Sequence, residues 1–265
     1  MSVISYMDNL SSKLILKGTE KDNIDRSIST LKQRLNYHFD SIEKTFIFGS
    51  YIRGTILPRK ADSKSDIDYM IVFENSNDYM PQTYLNRLKM FAEKYYSTSE
   101  IFQSSPTVVL NLNHIKFELV PAYSYNIFWN EKYYIPAPAS DYIKWIETNP
   151  NGFNNELIKK NQNENYKIKP MIRLAKYWNT LNGHFYSSYL LEKYIIDMYY
   201  DYYNTSIKDY FFEFALGLQT SHLGKTNSNK VNKLKERIIE VKHLQEQGEE
   251  LLAEIKIRQI LTDIS

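Results

Sequence analysis

The sequence predicts an α+β protein in which a mixed sheet with flanking helices is followed by an all-helical lobe. Three observations support that class. Runs of β-branched and aromatic residues stop near Pro136, apolar periodicity of three and four residues fills most of the remaining chain, and 265 residues with 43% hydrophobic side chains suffice to bury a core in each of two lobes. The lobes are expected at 1–135 and 136–265, the first opening on a long helix.

That helix covers 22–39, where Ile24, Ile28, Leu31, Leu35 and Tyr37 recur at helical steps and make one apolar stripe. Residues 44–48 read as a strand running into Gly49-Ser50, and 66–73 as a second strand, with a loop containing Pro58 between them. Pro81 begins a helix reaching about residue 96, because proline in a first helical turn sacrifices no hydrogen bond. Strands at 107–112 and 115–120 flank the turn-like Asn113-His114, and Pro121 is expected to end the second. Helices are expected at 140–148, 169–181, 188–203, 207–218 and 230–261, with 149–169 and 221–229 as mobile loops. No internal repeat or low-complexity segment is visible.

Composition removes several function classes. With no cysteine, disulfide frameworks, thiol catalysis and Cys-ligated metal centres are excluded. A net charge of +2 gives no molecule-wide field for wrapping a duplex, so nucleic acid is not expected as the main partner. The five histidines show no His-Glu-x-x-His spacing, which disfavours a zinc hydrolase. The first residues lack the apolar block of a signal peptide, and no stretch approaches the ~18 apolar residues of a membrane span. A soluble, cytoplasmic protein with no membrane partner is the expectation.

The chemistry is expected from Phe48-Gly49-Ser50-Tyr51-Ile52-Arg53-Gly54-Thr55 and Asp66-Ile67-Asp68. Residues two apart in a strand face the same way, so Asp66 and Asp68 present two carboxylates together. Glu118, in Phe117-Glu118-Leu119-Val120-Pro121, is a third acid on a strand able to pair beside that one. Three such groups raise one another's pKa unless a cation lies among them, and Mg²⁺ is a hard cation that prefers oxygen ligands. Gly49-Ser50, where a strand turns into a helix, lets backbone N–H groups and a short hydroxyl approach a phosphate. A P-loop would need lysine where the sequence has Thr55, so a Walker-type NTPase is not supported. Taken singly, these features read as a strand-entry Asp-x-Asp, a tight turn and a solvated glutamate; their order within one lobe points to a metal-dependent site.

This arrangement resembles the polymerase-β-like nucleotidyltransferase superfamily, whose motif is Gly-Ser, then Asp-x-Asp, then a distal acid. Within it, the runs 49–55, 65–72 and 117–122 look most like the bacterial CD-NTases, relatives of cGAS, DncV and the oligoadenylate synthases. Arg173-Leu174-Ala175-Lys176-Tyr177-Trp178-Asn179 and Ser187-Ser188-Tyr189-Leu190-Leu191-Glu192 are similar to the helical-lobe pattern of that group, so the resemblance spans about 20–220. It implies an active site in the cleft between the lobes. Asp66 and Asp68 would bind two Mg²⁺ ions, with Mn²⁺ as the alternative, and Glu118 would position the metal that activates the attacking hydroxyl. Gly49, Ser50, Lys176 and Ser188 would contact the triphosphate, and Tyr189 would stack on the donor base. The third acid of these enzymes is usually Asp, so Glu118 is a departure.

Without the resemblance, Lys176 lies off the apolar stripe of Met171, Leu174, Trp178 and Leu181 and reads as a solvated lysine. Trp178 reads as core, Ser187-Ser188 as a helix cap, and Tyr189 as core. Six basic residues against two acidic ones over 225–242 read either as a phosphate rim or as a solvated helix face.

The implied reaction is attack of a ribose hydroxyl on the α-phosphorus of an NTP, repeated and closed into a cyclic di- or oligonucleotide second messenger with release of pyrophosphate. NTPs would be the substrates, and an effector protein that senses the product and operon-encoded accessory proteins the partners, in bacterial anti-phage (CBASS) signalling. The alternatives are an RNA or tRNA 3′-end nucleotidyltransferase and a catalytically silent nucleotide-binding sensor.

Overall fold

Residues 2–74, 79–104, 106–127, 130–138 and 144–264 are described by a computed structural model. They fall into two units, one of Met1–Ile15, Lys60–Ser63 and Glu156–Ser265, the other of Leu16–Arg59 and Lys64–Asn155. A short helix, α1 (Val3–Lys13), precedes the helix expected to open the fold and belongs to the first unit.

The second unit holds α2 (Gly18–His38), β1 (Ile42–Phe48), α3 (Gly49–Arg53), β2 (Asp66–Phe73), α4 (Pro81–Tyr95), β3 (Glu100–Ser104), β4 (Thr107–Asn111), β5 (Lys116–Ile127), β6 (Asn130–Pro136) and β7 (Trp145–Thr148). The strands run in the order β1-β2-β5-β4-β3, and β6 and β7 extend the sheet from β5. Among the described residues only β2 and β5 are parallel, so the sheet is mixed.

Alternation along β2 and β5 decides which face each helix covers. Ile67, Tyr69, Ile71, Phe73, Phe117 and Leu119 point to one face, where they pack with Ile24, Leu31 and Leu35 of α2 and with Tyr84, Leu85, Leu88 and Phe91 of α4. The opposite parity carries a smaller cluster of Met70, Val72, Val120, Ala122 and Tyr133. The same parity continues to Asp66, Asp68, Lys116 and Glu118 at the strand starts. The helix-covered face therefore supplies the core and leaves the other free for polar groups.

β5 runs through Pro121 instead of ending there. Its antiparallel partner is β4 up to Leu119 and β6 from Tyr123 onward, so Pro121 sits at the changeover where no antiparallel neighbour needs its missing N–H. The helix expected over 140–148 falls partly outside the described residues; its remainder is β7, paired with β6 through Ile135 and Ile146.

The helical unit contains α1 and, after α5 (Gly152–Asn163), the helices α6 (Ile168–Leu181), α7 (Ser188–Asp197), α8 (Ile207–Gly217), α9 (Lys225–Glu246) and α10 (Glu250–Arg258). α6 is buried on every side from Met171 to Asn179, with α1, α7 and α8 packed against it, which makes it the unit's axis. The stretch expected as a loop over 149–169 is mostly α5: the Asn149 side chain accepts the Gly152 N–H at 2.8 Å, and Leu157 is fully buried. α9 likewise begins inside the expected loop 221–229. The helix expected over 188–203 stops at Asp197. The one expected over 230–261 is broken at Gly248, whose φ of +77° is left-handed. Among the described residues no helix is long and apolar enough to cross a membrane.

Candidate active site

β1 ends at Phe48, directly opposite Asp68 of β2, and the chain turns at once into α3. Gly49 makes that turn with φ +72°, and a Cβ placed on it would fall 1.7 Å from Asp68 Oδ2 and 2.6 Å from Asp68 Cγ. The Asp68 carboxylate thus rests against a bare Cα that only glycine provides. Gly54, with φ +69°, ends the helix, and the Ser50 carbonyl accepts the N–H groups of Thr55 at 3.0 Å and Ile56 at 3.1 Å.

Tyr51, on the same turn, donates its hydroxyl to Asp25 of α2. Burial and the neighbouring Asp25 carboxylate push the Tyr51 phenol up to about 12. Burial alone would raise Asp25, but hydrogen bonds from Lys21 and Tyr51 outweigh it and hold the carboxyl below its usual range. The turn that carries Gly49 and Ser50 is therefore tied to the helix layer.

On β2 and β5 the parallel register sets Asp66 beside Lys116 and Asp68 beside Glu118, all four on one face. Lys116 Nζ stands 3.0 Å from Asp66 Oδ2 and 2.9 Å from Glu118 Oε1, and the three side chains are 25 to 30% exposed. Burial by itself would lower the Lys116 ammonium; the Asp66 charge and the hydrogen bonds to both carboxylates overcome it and raise the pKa above the usual lysine value.

The three expected acids share one face, yet among the described residues no three His, Cys, Asp or Glu side chains are grouped so as to hold a metal ion. An ammonium stands where two of them meet. Lys116 is the site residue that sequence reasoning missed. Its signal was present as the residue two before Glu118, of the same strand parity.

The remaining expected residues lie in the helical unit. Lys176 is not solvated: it is 6% exposed, and its Nζ is 3.2 Å from Oε1 of the fully buried Glu192. Ser188 begins α7 and is exposed, whereas Ser187 occupies the cap position without a side-chain cap bond. Tyr189 is 51% exposed, so it is not core, while Trp178 is buried as expected. The basic run on α9 is partly spent on packing. Lys230 donates to the Asn182 carbonyl at 2.6 Å, and Arg237 and Lys256 both meet Glu240.

A sheet whose open face gathers carboxylates beside a glycine turn, joined in sequence to a helical half, is the architecture of the polymerase-β-like nucleotidyltransferases. Residues 1–161 match the Second Messenger Oligonucleotide or Dinucleotide Synthetase domain, and the chain belongs to that family. It is 32% identical over 108 residues to a probable cyclic nucleotide synthase of Bacillus cereus, a match covering 39% of this chain and 32% of that protein. It is 24% identical over 181 residues to the cyclic AMP-AMP-AMP synthase of an Acinetobacter species, covering 66% of this chain and 51% of that protein. The chain thus spans about a third to a half of the length of these curated relatives. In fold it resembles Vibrio cholerae DncV cyclic AMP-GMP synthase solved with nonhydrolyzable GTP, at a TM-score of 0.76 and 11% identity over 99% of this chain and 96% of that one.

Proposed function

We propose that this chain is a divalent-metal-dependent nucleotidyltransferase that joins NTPs into a cyclic di- or oligonucleotide second messenger and releases pyrophosphate. The observation that carries the reading is the placement of Asp66, Asp68 and Glu118 on one face at adjacent registers of parallel strands, with Gly49 bare against Asp68. The donor set suits Mg²⁺ or Mn²⁺: all three are hard carboxylate oxygens, and a lysine ammonium is already drawn between two of them. Divalent ions bound there would neutralise triphosphate charge and stabilise the departing pyrophosphate.

The chain's own residues do the rest by position. Gly49 and Ser50 offer a close backbone approach and a hydroxyl to the triphosphate. Glu118 orients the attacking ribose hydroxyl and takes its proton. Ser188 and Tyr189 contact the donor nucleotide. Lys176 fixes α7 through Glu192, one helical turn beyond Ser188 on the same side of the helix. The product would be read by an effector protein within a cytoplasmic anti-phage system that includes operon-encoded accessory proteins.

Mass spectrometry of products from the four NTPs, with Mg²⁺ and with Mn²⁺, tests this. A cyclic product formed without RNA is the expected result. Transfer seen only when tRNA is added would assign a 3′-end nucleotidyltransferase, and NTP binding with no product under either metal would assign a silent sensor.

A further inference from the structure

We infer that Lys116 is an internal counter-ion of the candidate metal site: without a divalent ion its ammonium holds Asp66 and Glu118 together, and an entering ion must displace it. The inference rests on the reading of Asp66 and Glu118 as metal ligands.

Three observations lead there. The ammonium lies within hydrogen-bond distance of both carboxylates, at 3.0 and 2.9 Å. The register leaves it little choice, since its neighbour across β2 is Asp66, and its neighbour across β4 is Asn111, whose side chain is committed to Glu100 at 3.0 Å. The cluster is also a quarter to a third exposed, so the four-carbon stem of Lys116 has solvent into which to withdraw.

Displacement follows from charge and space. A divalent ion takes carboxylate oxygens at about 2.0–2.1 Å, needs the lone pairs that now accept from the ammonium, and repels a positive charge at that range. The metal-free site is then a partly neutralised cluster instead of three mutually repelling carboxylates. It binds a lone ion weakly and favours an ion that arrives with the charge of a triphosphate. Lys116 would thereby link metal uptake to substrate arrival.

Mn²⁺ binding, followed by the electron paramagnetic resonance of free Mn²⁺, tests this on the full chain, with melting in EDTA and in Mn²⁺ as a second readout. Lys116→Met is expected to bind Mn²⁺ about tenfold more tightly than wild type and to gain more melting temperature from the ion. Lys116→Arg, which keeps the charge, is expected to stay within about twofold of wild type. Should the methionine variant fail to fold, Lys116→Gln must shift affinity in the same direction. Equal or weaker Mn²⁺ binding by the uncharged variants, with binding intact in wild type and lost in Asp66→Asn, would overturn the inference alone. If neither wild type nor Lys116→Met bound Mn²⁺, even beside a nonhydrolyzable NTP analogue, the catalytic reading would fail and this inference with it.

Discussion

Lys116 and Lys176 each meet carboxylates at hydrogen-bond distance, but in opposite surroundings. Lys116 and its partners are 25 to 30% exposed on the open sheet face, whereas the Lys176–Glu192 pair is 6% and 0% exposed inside the helical unit. Water screens the first cluster, so its contribution to stability is small and its members can exchange partners. The second cannot exchange without leaving a buried charge. Similar contacts therefore serve different ends, an adjustable site in one unit and a fixed joint in the other.

The largest effect is expected at the joint. Glu192→Gln strands the Lys176 ammonium and should cost about 3–5 kcal/mol, a fall of roughly 10 °C in thermal melting. Converting both residues to Met should recover most of that loss, because a buried ion pair is often replaceable by apolar side chains of similar volume. The double variant also separates the two roles of Lys176. Unchanged NTP affinity in the recovered protein makes it a positioning residue for α7, and a lost affinity would restore the direct triphosphate contact implied by the family resemblance.

A smaller effect is expected from paired glycines. Gly49→Ala forces a Cβ into the Asp68 carboxylate and should cost about 2 kcal/mol, with at least a tenfold loss of turnover as that carboxylate shifts. Gly54→Ala has a similar φ of +69° but open space around the Cβ, so about 1 kcal/mol is expected with turnover nearly unchanged. Equal turnover in the two variants would break the assignment of Gly49 to the site.

The smallest effect concerns a carboxylate that is neither buried pair nor site. Asp209 closes the capping box at the start of α8, bonding the Ser206 N–H at 2.9 Å. Burial would raise its pKa, but hydrogen bonds from Ser206 and Thr205 prevail and hold it below the usual value. Its contribution is then full above the unfolded carboxyl value of about 4 and lost as pH falls through the lower folded value. Asp209→Ala should lower stability by about 1 kcal/mol at pH 7, and denaturant titrations should show that gap narrowing below about pH 4.

What could be read in the sequence was what depends on near neighbours in the chain. Parity alone put Asp66 and Asp68 on one face, glycine chemistry marked position 49, and helical spacing found the α2 stripe of Ile24, Ile28, Leu31 and Leu35, although Tyr37, expected in it, is exposed. What stayed hidden depends on register and enclosure. A strand lysine is ordinarily a solvent-facing residue, and only the pairing of Asp66 with Lys116 gives it a role. Spacing along α6 alone leaves Lys176 off the apolar stripe, and its enclosure comes only from how α1, α7 and α8 pack around α6, with Glu192 of α7 as its partner. β6 and β7 went unread for the same reason, since each is defined by its pairing and not by an isolated apolar run.

Pyrophosphate release from NTPs in Mg²⁺, comparing wild type with the double substitution Asp66→Asn and Asp68→Asn, tests the site most directly. A fall of roughly 10³-fold is expected, with thermal melting little changed. A folded double variant that released pyrophosphate at the wild-type rate would contradict it.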